Sequence, residues 1–289
     1  MAPDPGQTTK LIGGPCSALV DTSLLIEQQK RPSQADLVRQ ALSRYRFRAI
    51  SSYSKLEFKR AWAQRLAYIH KVSYHPHCNT VNDVYYEVNR LLANTFHHRR
   101  VQTCFDALIA FQDLDGGQIS DRAQLARLRA HCKQAVLGAA AWLKQARHEE
   151  FKGTGCVRAE ELPRELPDGS LDTAIRQCRP ADIHCRIHEY FNHNKDAFDQ
   201  IRSTIESSSD ASDELKKMLP EIKAAEKDAT HLCDNRHCAK IADAIIAVDG
   251  RKVDEYAANN DKEWRLLARS MVKALLNPVS GQRFDPGPA

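Results

Sequence analysis

Four acids in this 289-residue chain stand where catalytic carboxylates could be mounted. Asp21 ends the short apolar run Cys16-Ser-Ala-Leu-Val, and Glu57 follows the serine-rich stretch Ser51-Ser-Tyr-Ser-Lys-Leu. Asp243 lies in the apolar segment Ala239-Lys-Ile-Ala-Asp-Ala-Ile-Ile-Ala-Val248, and Asp261 follows Asn259-Asn. Converging carboxylates repel one another, and a bound divalent cation removes that penalty. Hard oxygen donors with room for water suit Mg²⁺ or Mn²⁺. Such an ion lowers the pKa of a bound water and neutralises charge building on a phosphate during in-line attack, the chemistry of phosphodiester hydrolysis. Each acid also has a purely structural reading. Asp21 could brace a turn after a strand, and Ser54-Lys-Leu-Glu57 fits a capping box in which Glu57 reaches back to the helix-start amide. Asp243 could be a solvated helix residue, and Asp261 could cap the last helix.

The elements that would carry these acids follow from the apolar pattern. Residues 16–21 read as a buried strand that delivers Asp21 at its C-terminal end, and a helix follows Pro32-Ser33 with Leu37, Ala41 and Leu42 on one face. Phe47 to Ser51 reads as a second strand, leading into a helix with Phe58, Trp62, Leu66 and Ile69 on one side. This alternation predicts an α/β fold with a parallel sheet flanked by helices. In such sheets, functional groups collect outside the C-terminal strand ends, where Asp21 and Asp261 would lie and toward which Glu57 and Asp243 could be aimed.

Residues 72–150 read as helical, with Val81, Val84, Val88, Leu91 and Leu92 in one segment and Leu125, Leu128, Cys132, Val136 and Leu143 in another. Residues 152–182 are rich in Gly and Pro and read as an irregular connection, and two helices are expected near 184–206 and 213–229. The α/β pattern resumes with a helix over 239–248 that Gly250 stops, a short strand over 253–258 and a last helix carrying Trp264, Leu267 and Met271. The organisation expected is therefore an α/β domain contributed by residues 1–71 and 231–276, a mostly helical insertion over 72–230 and a flexible tail over 277–289.

The four acidic segments together resemble the signatures of the PIN-domain nucleases. Val20-Asp21-Thr22-Ser23-Leu24-Leu25 is similar to the first, Ser51 through Lys59 to the second, Ala242-Asp243-Ala-Ile-Ile-Ala247 to the third and Ala258-Asn-Asn-Asp261-Lys-Glu-Trp264 to the fourth. Two departures stand out: Asn259 occupies a position where many relatives carry Thr or Ser, and the gap between Glu57 and Asp243 is wide. The resemblance implies a PIN-like three-layer fold. It implies catalytic and metal-ligating roles for Asp21, Glu57, Asp243 and Asp261, and supporting roles for Ser23 and Asn259. The implied activity is a Mg²⁺- or Mn²⁺-dependent endonuclease, with ribonuclease favoured by family frequency. A DNA or junction-specific nuclease and a non-catalytic binding module on the same scaffold are the alternatives. Because such relatives include toxins of toxin–antitoxin pairs, a cognate antitoxin, another protein or a second copy of the chain are the candidate protein partners. The similar segments cover less than half the chain. A rival third segment, Asp106-Ala-Leu-Ile-Ala110, is rejected because it sits within the helical region.

Charge and cysteine usage add a second layer. Net charge is +5, and residues 44–71 hold eight Lys/Arg around the single acid Glu57, among them Arg60, Arg65 and Lys71 as candidate phosphate contacts. The competing reading is a solvated helix face. The nine cysteines include Cys16, Cys104 and Cys132 singly within apolar segments, which read as reduced thiols. Cys178, Cys185, Cys233 and Cys238, with His184, His188, His231 and His237 interspersed, could close a tetrahedral structural zinc site. The N-terminus lacks the pattern of a signal peptide and no apolar stretch reaches the length of a membrane span, so a cytoplasmic location and no membrane contact are expected.

Overall fold

The computed structural model describes residues 16–30, 32–93, 98–116, 122–145, 148–161, 163–173, 185–259 and 261–286. Strand β1 (Ser17–Val20) passes directly into helix α1 (Thr22–Lys30) and then α2 (Pro32–Ser43). Strand β2 (Phe47–Ser51) leads into α3 (Ser52–Phe58), one π turn (Lys59–Ala63) and α4 (Gln64–Val72). The long helices α5 (Val81–Ala93), α6 (His98–Asp115) and α7 (Arg122–Gln145) follow, then β3 (His148–Phe151) and the short α8 (Val157–Glu160). A two-stranded hairpin, β4 (Arg164–Glu165) and β5 (Leu171–Asp172), precedes α9 (Ile187–His193), α10 (Lys195–Ser207), α11 (Asp213–Lys216) and α12 (Met218–Lys227). A 3-10 turn (Ala229–Cys233) joins α12 to α13 (Asn235–Lys240), and α14 (Ala242–Asp249) runs into β6 (Glu255–Ala257). The chain closes with α15 (Asp261–Ser270), β7 (Ala274–Leu276) and β8 (Arg283–Phe284).

The main sheet has six strands in the order β3-β2-β1-β6-β7-β8, and all neighbours are parallel except the β7–β8 edge pair. Side chains alternate across a strand, so each strand feeds two cores. Leu19, Ala49, Tyr256 and Leu275 face one, built with residues of α9 through α15. Ala18, Val20, Ile50, Ala257 and Leu276 face the other, built with α1, α2 and α4 through α7. Burying both faces requires near-continuous apolar strands, which is what Ala18-Leu-Val20 and Glu255-Tyr-Ala257 supply apart from Glu255. Glu255 is held by two guanidinium groups, with Arg44 Nη2 2.7 Å from Oε1 and Arg283 Nε 3.1 Å from Oε2.

A helix-flanked parallel sheet was the expected architecture, and several expectations change in detail. Residues 72–230 are not wholly helical, because β3 pairs with β2 in parallel register from Arg48–His148 to Ser51–Phe151. The tail contributes to the fold, since Arg283–Phe284 pairs antiparallel with Leu275–Leu276. Ser51, not Ser54, caps α3, its hydroxyl accepting from Tyr53 N–H at 3.1 Å, so Glu57 is not the partner of a capping box. Gly250 does not stop α14 through a left-handed turn, for its backbone stays right-handed at φ −69°. It is required for close approach, since a Cβ there would fall 2.0 Å from Tyr256 Cε1.

Candidate active site at the C-terminal end of the sheet

Asp21 is placed by the backbone before its side chain enters the argument. Its N–H continues the β1–β6 ladder by donating to Ala257 C=O at 2.9 Å, and its C=O accepts from Leu24 and Leu25 N–H to start α1. The carboxylate is 6% exposed. Its Oδ2 accepts from Ser23 N–H at 2.9 Å and from Ser23 Oγ at 2.6 Å. Burial pushes the Asp21 carboxyl above the ordinary carboxylate range, against the lowering effect of hydrogen bonds from Ser23, the Thr22 amide and the Trp264 indole. Asp21 is thus also the N-cap of α1, a structural role beyond the turn-bracing expected of it.

Ser23 ties this strand end to its neighbour, because its Oγ accepts from Asn259 N–H at 3.1 Å. The contribution of Asn259 here is its main chain, which explains why Asn in place of Thr or Ser leaves this link intact. Glu57 comes from α3, beyond the C-terminal end of β2. Thr22 Oγ1, shared between Glu57 Oε2 at 2.9 Å and Ser54 C=O at 3.3 Å, holds it. Burial pushes the Glu57 carboxyl well above its usual range, with Asp243 and then Asp21 adding like-charge repulsion and Thr22 opposing. Asp243 is the second residue of α14, and every other residue of that helix is buried. An acid at this position also meets the positive end of the helix dipole. Asp261 opens α15, reached from the C-terminal end of β6 beside β1, and its side chain lies outside the described residues.

Glu57 is therefore within electrostatic reach of both Asp243 and Asp21 at the crevice where open α/β sheets place ligands. They are not packed as tightly as a closed cation site. Among the described residues, the one His/Cys/Asp/Glu group whose ligand atoms all lie within 4.8 Å is Glu221, His231 and His237. Spaced carboxylates whose mutual repulsion a cation would relieve are a donor set that fits a hydrated hard ion such as Mg²⁺. Thr22 was not singled out in the sequence as a site residue, although it stands between Asp21 and Ser23 in the first acidic segment.

Asp249, at the other end of α14, was also missed. It is 1% exposed, accepting from Ser51 Oγ at 2.7 Å and Tyr190 OH at 2.8 Å, and burial pushes its carboxyl up to about 6 against both hydrogen bonds and Lys252.

Cys178 and His184 lie outside the described residues, and Cys185, Cys233 and Cys238 take part in no disulfide. The described ones do not form a three-ligand group: Cys233 Sγ faces His188 Nδ1 at 3.8 Å, and Cys238 Sγ faces Arg158 Nη1 at 4.0 Å. Cys104 and Cys132 are buried as expected, whereas Cys16 is exposed.

The basic stretch divides by role. Lys55 pairs with Glu160 at 3.4 Å, and buried Lys59 donates to the carbonyls of Arg158, Ala159 and Glu161 at the end of α8. Arg65 and Lys71 instead line a cleft of about 840 Å³ between α4 and the β4–β5 hairpin, with Tyr68, His70 and Tyr74. Arg60 lies in the π turn between Glu57 and that cleft.

No helix among the described residues is long and apolar enough to cross a membrane. The chain matches no protein-family model, no curated protein and no solved structure, so its reading rests on this geometry and on the sequence signatures that led to it.

Proposed function

We propose that the chain is a divalent-metal-dependent endonuclease of the PIN-like type, acting on RNA, with Asp21, Glu57, Asp243 and Asp261 as its acidic centre. The observation that carries this reading is the meeting of Asp21, at the C-terminal end of β1, with Glu57 of α3 through Thr22, whose Oγ1 donates to Glu57 Oε2 at 2.9 Å, while Asp243 and Asp21 add like charge to the burial that raises Glu57. Perturbed carboxylates clustered at the functional end of an α/β sheet are a signature of catalytic or ion-binding sites. A bound Mg²⁺ or Mn²⁺ would supply Lewis acidity toward a phosphate and a water acidified for attack. The protein's own groups prepare that site. Thr22 aims Glu57, Ser23 and Trp264 fix the rotamer of Asp21, and the buried body of α14 holds Asp243 rigidly. Arg60, Arg65 and Lys71 would bind backbone phosphates, and exposed Tyr74, one ring face of which carries the Arg129 guanidinium at 4.2 Å, would offer its other face to an unpaired base. Single-stranded binding of this kind tolerates any sequence.

Incubating the purified chain with labelled single-stranded RNA, single-stranded DNA and duplexes, with Mg²⁺, Mn²⁺ or EDTA, tests the proposal. Metal-dependent cleavage of RNA that Asp243→Asn eliminates supports it. Cleavage of DNA in preference to RNA would replace the substrate, and no cleavage of any substrate in either metal would defeat the assignment.

A further inference from the structure

The tightest convergence of metal-ligating atoms in the described residues lies away from the acidic centre. Glu221 projects from α12, His231 from the 3-10 turn and His237 from α13. Glu221 Oε2 is 2.7 Å from His231 Nε2 and 2.8 Å from His237 Nδ1, and its other oxygen accepts from Lys240 Nζ. The imidazole centroids are 3.8 Å apart, and the two histidine side chains are 27% and 30% exposed over a carboxylate that is 6% exposed. Lys240 alone already supplies one positive charge to this acid, so charge balance does not explain why two imidazoles also close on one oxygen. We propose that Glu221, His231 and His237 form a binding site for a single Zn²⁺-class transition-metal ion, with water completing the shell on the exposed side.

Donor chemistry and distance both support the ion. Two imidazoles and one carboxylate are a ligand set for zinc with an open fourth position, whereas Mg²⁺ favours oxygen ligands. With metal–ligand bonds of about 2.0–2.1 Å, tetrahedral donors stand roughly 3.3–3.4 Å apart. The spacings of 2.7 and 2.8 Å therefore need to open by well under an ångström. Each imidazole has a second nitrogen to carry its proton once the ion takes the first. Lys240 is the competing cation, and at 52% side-chain exposure it can swing into solvent. The site would cross-link α12, the 3-10 turn and α13, and only Ile241 and Ala242 separate the end of α13 from Asp243. Its occupancy would thus set the rigidity of the base on which Asp243 stands, independently of whether that acid is catalytic.

The test uses the full chain, stripped with a chelator and titrated with Zn²⁺, Co²⁺ and, as a control, Mg²⁺. One equivalent of Zn²⁺ should bind and raise the melting temperature by several degrees, with no such effect from Mg²⁺. Co²⁺ should give a nitrogen/oxygen visible spectrum without thiolate charge-transfer bands, which separates this site from any cysteine site. His231→Ala with His237→Ala should weaken Zn²⁺ binding by more than the roughly 10–100-fold that losing an outer-sphere partner costs. Should that double variant fail to fold, Lys240→Met keeps all three ligands and should tighten Zn²⁺ by removing the adjacent charge. Zn²⁺ that leaves melting unchanged, thiolate bands with Co²⁺, or Lys240→Met that leaves Zn²⁺ affinity unchanged or weaker would each overturn the site.

Discussion

Two carboxylate centres in this molecule meet opposite electrostatic fates. Glu221 loses solvation on burial, yet hydrogen bonds from Lys240, His231 and His237 outweigh that loss and hold it at about 2. At the end of the sheet, Asp21 and Glu57 accept from hydroxyl, amide and indole donors, and burial raises both. The nearest lysines along the chain do not turn this balance: Lys55 is paired with Glu160 and Lys59 caps the carbonyl end of α8. The first arrangement satisfies its acid with the chain's own donors even before an ion binds, because a buried charge is costly unless paired. The second arrangement costs folding energy, a cost that the proposed ion-binding and catalytic use of these acids would account for.

The sharpest way to break this comparison is to neutralise the sheet-end acids. Asp21→Asn and Asp243→Asn should each reduce cleavage by about 10³-fold, since metal-assisted charge stabilisation supplies several kcal/mol of the barrier reduction. Both should melt at or above the wild-type temperature, because repulsion with Glu57 is relieved and Asn serves as well as Asp at the N-cap position of Asp21. Full activity in either variant, measured as single-turnover RNA cleavage, would remove that acid from the site. A drop of many degrees in melting would put it among the structural acids.

Asp249 tests the same physics without catalysis. Its pKa is raised from 3.8 to about 6, so in the folded chain it keeps its proton where the unfolded chain has released it. Stability must then fall as pH rises from about 4 to 6, and the full penalty, about 3 kcal/mol, is present at neutral pH. Asp249→Asn should remove its share of this slope and be more stable than wild type by up to that amount at pH 7. Urea titrations of both proteins at pH 4, 5, 6 and 7 read the difference, and parallel curves would show that Asp249 is ionised in the folded state. Neutralising Glu255 should instead destabilise the fold. It is 1% exposed between Arg44 and Arg283, so Glu255→Gln should lose about 2 kcal/mol at neutral pH, as removing one partner of a buried charge network does. An unchanged urea midpoint would mean that the two half-exposed arginines are satisfied by water alone.

What the sequence made legible follows from signal strength. Strands β1, β2 and β6 are apolar runs bounded by breakers, and the acids that follow β1 and β6 could be placed from those runs. Helix α1 escaped because Thr22 through Lys30 ends in Glu-Gln-Gln-Lys and shows no helical stripe. Strand β3, His-Glu-Glu-Phe, carries no β-branched residue and is recognised only by its pairing with β2. Strand β7 is three residues long, too short for any periodicity. At the 230s segment the sequence drew attention to a neighbourhood in which the tightest described cluster is built from His231 and His237 with Glu221. Cysteine pairs suggest zinc by local spacing, whereas Glu221, His231 and His237 meet only because α12 folds back against the turn and α13. Thr22 and Asp249 were missed because an orienting hydroxyl and a buried acid become visible only through their partners.

The smallest effect expected is along α4, where the comparison turns on which cations line the cleft. Lys55 and Lys59 already have structural partners, so neutralising them should cost stability rather than affinity. Arg65 and Lys71 line the cleft beside Tyr68 and Tyr74, and Arg60 precedes them in the π turn. If these three contact phosphates, the Arg60→Gln, Arg65→Gln, Lys71→Gln triple variant should weaken RNA binding by about tenfold at 0.1 M salt. The factor should be similar for every sequence, and the slope of log affinity against log salt should flatten by about 2 units, since each single-strand contact contributes roughly 0.7. Turnover at saturating substrate should hold, because these side chains do not touch the acids' chemistry. Fluorescence anisotropy of a labelled oligonucleotide, read at several salt concentrations in the Asp243→Asn background to prevent cleavage, measures the slope directly. An unchanged slope would make α4 a solvated face, and a loss confined to particular sequences would make the cleft a base-reading pocket.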